Sequence, residues 1–328
     1  MIPALALCQT KYLLCFFTRC DDRPAAGTGL GKRPGWRAGQ DPDHINRIEK
    51  SMRKTLICLM VLLLTLVSAC ATSPTGRRQL MLVSEQQAIS ASREAYLQTM
   101  APLKKEGKLN SDPRTNARVE RITSRLVAQA VAMRPDSDKW EWSVGVIDEP
   151  ETVNAWCMAG GRMAIYTGLL AKVDPSDDEL AQVMGHEIAH ALANHTAEKM
   201  SVAMATQMGI MVAGVASDRP AVAMSAAAVA ATLAIQLPNS RTAETEADRI
   251  GIELAARAGY DPYASVSLWE KMAKVGGSRS LEFMSTHPDP DNRMKRLNAL
   301  APEMMGYYQA PGERPVYPLH EPISPTSP

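Results

Sequence analysis

The chain has 328 residues, with 36 Lys and Arg against 35 Asp and Glu, and a net charge of +1. That balance, without any basic run, excludes a nucleic-acid-binding surface, and the length suffices for a domain with a substantial core. Residues 1–51 mix Pro, Gly, Arg and Asp with no helical or strand periodicity beyond an apolar patch ending near Phe17. They are read as an extension from a misassigned start, with translation beginning at Met52.

Met52-Arg53-Lys54 followed by the apolar run Leu56 to Val67 has the form of a secretory signal and is short for a membrane span. Val67-Ser68-Ala69-Cys70 resembles a bacterial lipobox, which implies a signal peptide over 52–69 and a lipid on Cys70. Ala71, where an inner-membrane-retaining Asp would stand, implies an outer-membrane lipoprotein facing the periplasm of a Gram-negative bacterium. Residues 70–83 are then a tether. Of six cysteines only Cys70 and Cys157 would remain, so no disulfide supports the fold, and Cys157 is expected to be a packed thiol.

Residues 84–308 are expected to form the functional domain. Ser84 to Met100 and Asp112 to Met133 read as helices, the second with Pro113 in its first turn and a stripe of Val119, Ile122 and Leu126. Glu141 to Ile147 alternates as a strand, as does Arg162 to Tyr166. Ser176 followed by Glu179 is a capping box that opens a helix running to about His195.

Within that helix stands His186-Glu187-Ile188-Ala189-His190. Residues four apart share a helical face, so both imidazoles can reach one zinc ion, and Glu187 can take a proton from metal-bound water. A third histidine in the H-E-x-x-H-x-x-G-x-x-H pattern is missing, since Ala193 and Thr196 hold those positions. His195, five residues past His190, would point to the opposite side of a continuous helix and is read as a surface or packing residue. In Arg241 to Arg249, Glu244 and Asp248 share a face, so Glu244 can be the third zinc ligand and Asp248 can accept the free N–H of a zinc histidine. Glu246 points away from both.

Between Thr196 and Pro238 an Ala- and Met-rich stretch, broken at Asp218-Arg219-Pro220, reads as a helical hairpin capping the site rather than spanning a membrane. Past Pro262, helical patterns run to about Leu300, and residues 309–328 form a Pro-rich tail expected to be extended or disordered.

The zinc motif followed by Ser240-Arg241-x-x-Glu244-x-Glu246-Ala247-Asp248 resembles the HtpX and CAAX-prenyl-protease family of zinc metallopeptidases, a gluzincin group. The Asn154-Ala155…Gly160-Gly161 segment and Ser285-Thr286-His287-Pro288 with Arg293 strengthen the resemblance. It implies an α+β fold: a mainly helical zincin-type domain with a small, mostly antiparallel sheet beside the active-site helix. It also implies one catalytic zinc on His186, His190 and Glu244, with Glu187 as base. Gly161, Arg162, Met163, Ala164 and Ile165 are expected to face the cleft and take substrate as an added strand. His287 would either donate to the oxyanion or occupy the open coordination position and hold the enzyme latent. The expected activity is endoproteolysis of misfolded or unassembled envelope proteins, with outer-membrane assembly machinery as a further partner. The competing reading is a zinc-stabilised chaperone-like or assembly factor with little proteolysis, against which Glu187 argues.

Overall fold

Helices start where the sequence supplies capping side chains. Ser84 Oγ accepts from the Gln87 N–H while Gln87 Oε1 accepts from the Ser84 N–H, opening α1 (Glu85–Lys105). The Asp112 carboxylate accepts from the N–H groups of Arg114 and Thr115, opening α2 (Pro113–Met133) with Pro113 in its first turn. The computed structural model describes residues 70–215, 240–276, 282–287 and 290–323, together with Arg53. The chain divides into two units, Met1–Leu59 and Met60–Pro328, and all that follows concerns the second. The expected upstream extension, signal peptide and second arm of the Ala/Met-rich hairpin lie outside the described residues.

Residues 70–83 are not a tether. β1 (Cys70–Thr72) pairs antiparallel with β2 (Arg78–Leu80), Cys70 opposite Leu80, and Ser73, Gln79 and Val83 are buried. What holds this hairpin down is largely polar, so no apolar periodicity marked it.

Three further strands form a mixed sheet in the order β3-β5-β4: β3 (Ser143–Ile147), β4 (Ala155–Cys157) and β5 (Arg162–Tyr166). β3 runs parallel to β5, and β4 antiparallel to it. The β4–β5 turn uses Gly160 and Gly161 at φ of 87° and 84°, and a Cβ on Gly161 would lie 2.6 Å from the Trp142 ring. On one face Ala155, Cys157, Met163 and Ile165 join the main core with the central helix; on the other Ala164 packs with Tyr96 and Met100 of α1. The strand β3 starts two residues later than expected, and because every residue of it is buried it does not alternate.

After α3 (Thr167–Val173) comes α4 (Asp177–Leu192), the central helix, opened by the reciprocal Ser176–Glu179 capping box and buried from Glu179 to Leu192. Around it stand α5 (His195–Val215), α6 (Arg241–Arg257), α7 (Ala264–Gly276), α8 (Glu282–Thr286) and α9 (Pro290–Tyr308). Helices α4 and α6 touch backbone to backbone at Gly185 and Gly251: a Cβ on Gly251 would lie 2.8 Å from His186 N, and one on Gly185 2.9 Å from Gly251 O. The α+β class follows the sequence reading. Among the described residues no helix is long and apolar enough to cross a membrane.

The tail is extended and pinned. The Tyr317 N–H donates to Ser124 O, the His320 N–H to Trp142 O, and Lys104 Nζ to Ile323 O. Arg314 donates to the carbonyls of Arg257 and Tyr308, tying off the ends of α6 and α9.

Candidate metal centre

Helix α4 presents His186 and His190 one turn apart, with their Nε2 atoms 3.0 Å from each other. Helix α6, capped by Ser240, brings Glu244 to the same point: Oε2 lies 3.4 Å from His186 Nε2, and Oε1 3.3 Å from His190 Nε2. His287, at the end of α8, adds a fourth donor, its Nδ1 3.2 Å from His186 Nε2 and 3.0 Å from Glu244 Oε1. All four groups are buried, and their donor atoms lie within 4.8 Å of one another. Tetrahedral zinc with bonds of about 2.0–2.1 Å needs donors about 3.3 Å apart, so the set fits that ion.

Glu187 sits beside this set, 3% exposed, with Oε1 buried and 3.3 Å from His287 Nε2. Burial pushes its carboxyl above the ordinary range, against the pull of His287 and His186. A carboxylate so placed is suited to holding a proton. Cys157, across from it on β4, is a buried free thiol pushed well up by burial and by Glu187, the packed, unreactive group expected.

Asp248 meets the outer nitrogen of His186, with Oδ1 3.2 Å from Nδ1, as its i+4 relation to Glu244 predicts. Sequence reasoning gave Arg293 no role, yet its guanidinium, 1% exposed, joins the two carboxylates. Nη1 donates to Glu244 Oε2 at 2.8 Å and Nε to Asp248 Oδ2 at 3.0 Å, while the fork lies over the Trp269 ring. Its only signal was an arginine six residues past His287.

His195 stays outside the donor set and is the packing residue of the two options expected, but it does not point to the opposite side. It is buried, with Nδ1 2.8 Å from His190 Nδ1 and Nε2 3.2 Å from Glu246 Oε2. Helix α4 does not run on through His195: it stops at Leu192 and Asn194 is left-handed at φ 55°, which re-aims the chain. Glu246 does point away from the donor set, as expected. It accepts instead from Arg77 Nε and Thr75 Oγ1, both at 2.6 Å. Burial would raise its pKa, but His195, Ser73, Thr75 and Arg77 together hold it far below the usual range.

The substrate strand expected over Gly161 to Ile165 also needs correction. β5 is the central strand, with both of its sides paired, and offers no edge. The outer side of β3 is occupied too: the Asn110 N–H donates to Val146 O, Asn110 Oδ1 accepts from the Val146 N–H, and the tail reaches Trp142. Among the described residues β4 is the edge that remains, next to Glu187. Helix α8 docks at its beginning, the Phe283 N–H donating to Val153 O and Asn154 Nδ2 to Glu282 Oε1.

The sequence profile of peptidase family M48 matches residues 113–301, more than half of the chain. The chain is 38% identical over 178 residues to the mitochondrial metalloendopeptidase OMA1 of Arabidopsis thaliana, covering 53% of this chain and 35% of the relative. It is 31% identical over 242 residues to the mitochondrial metalloendopeptidase OMA1 of Homo sapiens, 70% of this chain and 45% of the relative. With the beta-barrel assembly-enhancing protease of Escherichia coli it shares 29% identity over 207 residues, 59% of this chain and 41% of the relative. The chain thus spans roughly a third to just over a half of the length of its curated relatives, from 35% to 56%. These relatives overturn one expectation. The OMA1 proteins from plant, yeasts and animals are named as mitochondrial, so the outer-membrane, lipid-anchored location read from Val67 to Ala71 is withdrawn. Family profile, relatives and donor set agree: the chain belongs to peptidase family M48.

Proposed function

We propose that the protein is a zinc endopeptidase that cuts extended segments of unfolded or unassembled proteins. His186, His190 and Glu244 would hold the metal. When bound, zinc supplies polarisation of the scissile carbonyl and a water acidified enough to attack it. Glu187 accepts the proton of that water and passes it to the leaving amine, a role its buried, raised carboxyl suits. Substrate adds to β4 through main-chain hydrogen bonds, which carry little sequence preference and select for unfolded chain. The name of the Escherichia coli relative, tied to assembly of other proteins, supports that substrate class.

The observation that carries the reading is the buried Glu187 carboxyl, its pKa raised by burial, beside the donor set. A zinc site that only stabilised a chaperone-like binding protein would need no base there. Casein degradation by the zinc-loaded protein, blocked by a chelator, tests the proposal. Glu187→Gln should retain zinc and lose nearly all cleavage. Wild-type cleavage by that variant would refute the assigned mechanism.

His287 favours latency over an oxyanion role, because its Nδ1 lies among the donors and α8 rests on the start of the edge strand. A fourth protein donor displaces the catalytic water. His287→Ala should therefore raise basal casein cleavage; slower cleavage with zinc retained would favour the oxyanion role instead.

A further inference from the structure

The two zinc histidines are supported from behind in different ways. Asp248 meets Nδ1 of His186 directly. Behind His190 stands a chain of groups ending in the N-terminal hairpin. With Nε2 of His190 turned to the donor set, its Nδ1 carries the proton and donates to Nδ1 of His195 at 2.8 Å. His195 then carries its own proton on Nε2 and donates to Glu246 Oε2 at 3.2 Å. Glu246 is fixed in turn by Arg77 Nε on Oε2 and Thr75 Oγ1 on Oε1, both at 2.6 Å.

Arg77 is itself held. Its two terminal nitrogens grip Glu198 of α5 at 2.6 Å each, and Gln79 donates to both Glu198 and the Ala193 carbonyl. The arginine thus spans carboxylates on α5 and α6 while the hairpin is sewn to the end of α4. A lysine could pair with one of these carboxylates but lacks the fork that spans both.

We propose that residues 73–79 act as an outer support of the zinc centre, with Arg77 and Thr75 positioning His190 through Glu246 and His195, so that docking of the hairpin sets how tightly the metal is held. The inference rests on the zinc-peptidase reading for its metal. It makes Thr75, Arg77, His195 and Glu246 positioning residues of the centre, although none lies in the donor set. It also accounts for polar anchoring of a segment whose composition suggested a loose tether.

The test uses the full chain. Zinc affinity is measured by competition with a chromophoric chelator for wild type, Glu246→Gln, the double variant Thr75→Val/Arg77→Lys, and Asp177→Asn. The visible spectrum after cobalt replacement and the melting temperature of the metal-free proteins are recorded alongside. Asp177 pairs with Arg118 and Arg121 at the opposite end of α4, so Asp177→Asn controls for general loosening of that helix. Glu246→Gln should lower zinc affinity about tenfold to a hundredfold and the double variant about threefold to tenfold, each with an altered cobalt spectrum. Asp177→Asn should leave affinity and spectrum unchanged even where its melting temperature falls as far. Wild-type affinity and spectrum in both hairpin-linked variants would overturn the inference, as would an equal loss in Asp177→Asn. Absence of zinc binding by wild type would overturn the peptidase reading and this inference with it, whereas normal wild-type binding with unshifted variants overturns this inference alone.

Discussion

Arg293 shows how one side chain can decide the charge balance of the site. It is the cation facing both Glu244 and Asp248 in a place water does not reach. Removing one partner of such a buried cluster typically costs about 3–5 kcal/mol, because the carboxylates left behind have lost their solvent and keep only the histidines and, at 3.7 Å from Asp248, Arg296. Arg293→Met should therefore shift the urea midpoint down by that order in the metal-free protein, and by less when zinc is loaded and its charge stands in. Equal midpoints for wild type and variant would show that the carboxylates find another cation. At this scale the zinc motif, Glu244 and Asp248 were legible, because a helical period of four relates them locally. Arg293 and His195 were not. The first joins the site from another helix, and the second depends on a chain reversal whose signal was Asn194, a residue that tolerates the left-handed conformation.

At the scale of elements, the crossing of α4 and α6 is what brings His186 next to Glu244, and two glycines permit it. Gly251→Ala would place a methyl 2.8 Å from the His186 backbone nitrogen, a contact no rotamer relieves. The helices must separate, so stability should fall by about 1–3 kcal/mol, and zinc affinity should fall with it although Gly251 contributes no atom to the donor set. Chelator competition and urea denaturation read the two effects, and intact zinc affinity would show that the crossing has slack. The start of α4 adds a pH dependence. Burial alone would raise the Glu179 carboxyl, but Lys271, Ser267 and the Ser176 N–H outweigh it and hold it below its ordinary value. A depressed folded pKa means stability that is complete above the unfolded value of about 4.3 and lost as pH falls through the folded one. The stability gap between wild type and Glu179→Gln at neutral pH should close progressively in acid, as urea midpoints across pH would show; a gap constant down to strongly acid pH would remove Glu179 from that role. The capping box itself was legible, being four residues long. Strand order was not: the glycines announce the β4–β5 turn, but nothing local says that β3 comes to pair on the far side of β5.

At the scale of the whole molecule, the pinned tail docks beside the start of β3 at Trp142 and ties off α6 and α9. A chain stopped after Gln309 should lose on the order of 2–5 kcal/mol through exposure of the surface under Tyr317 and Leu319. It should also tend to self-associate, since the apolar surface under Tyr317 and Leu319 is left uncovered. Urea denaturation and size-exclusion chromatography check both, and an unchanged midpoint would make the tail an ornament. Composition concealed this strap: its prolines lack N–H groups, but Tyr317 and His320 supply the donors that dock it.

The donor set and its supports are gathered from stretches far apart in the chain: residues 75–77, 186–195, 244–248 and 287–293. A polypeptide emerging from the ribosome offers His186 and His190 well before Glu244, and Glu244 before the arginine that aims it. Two histidines alone make a poor zinc site, so the growing chain has no competent centre while most of it is being made. The order in which the residues are written therefore delays the centre: three donors exist only once residue 244 has been made, and the arginine that fixes the third arrives only at residue 293.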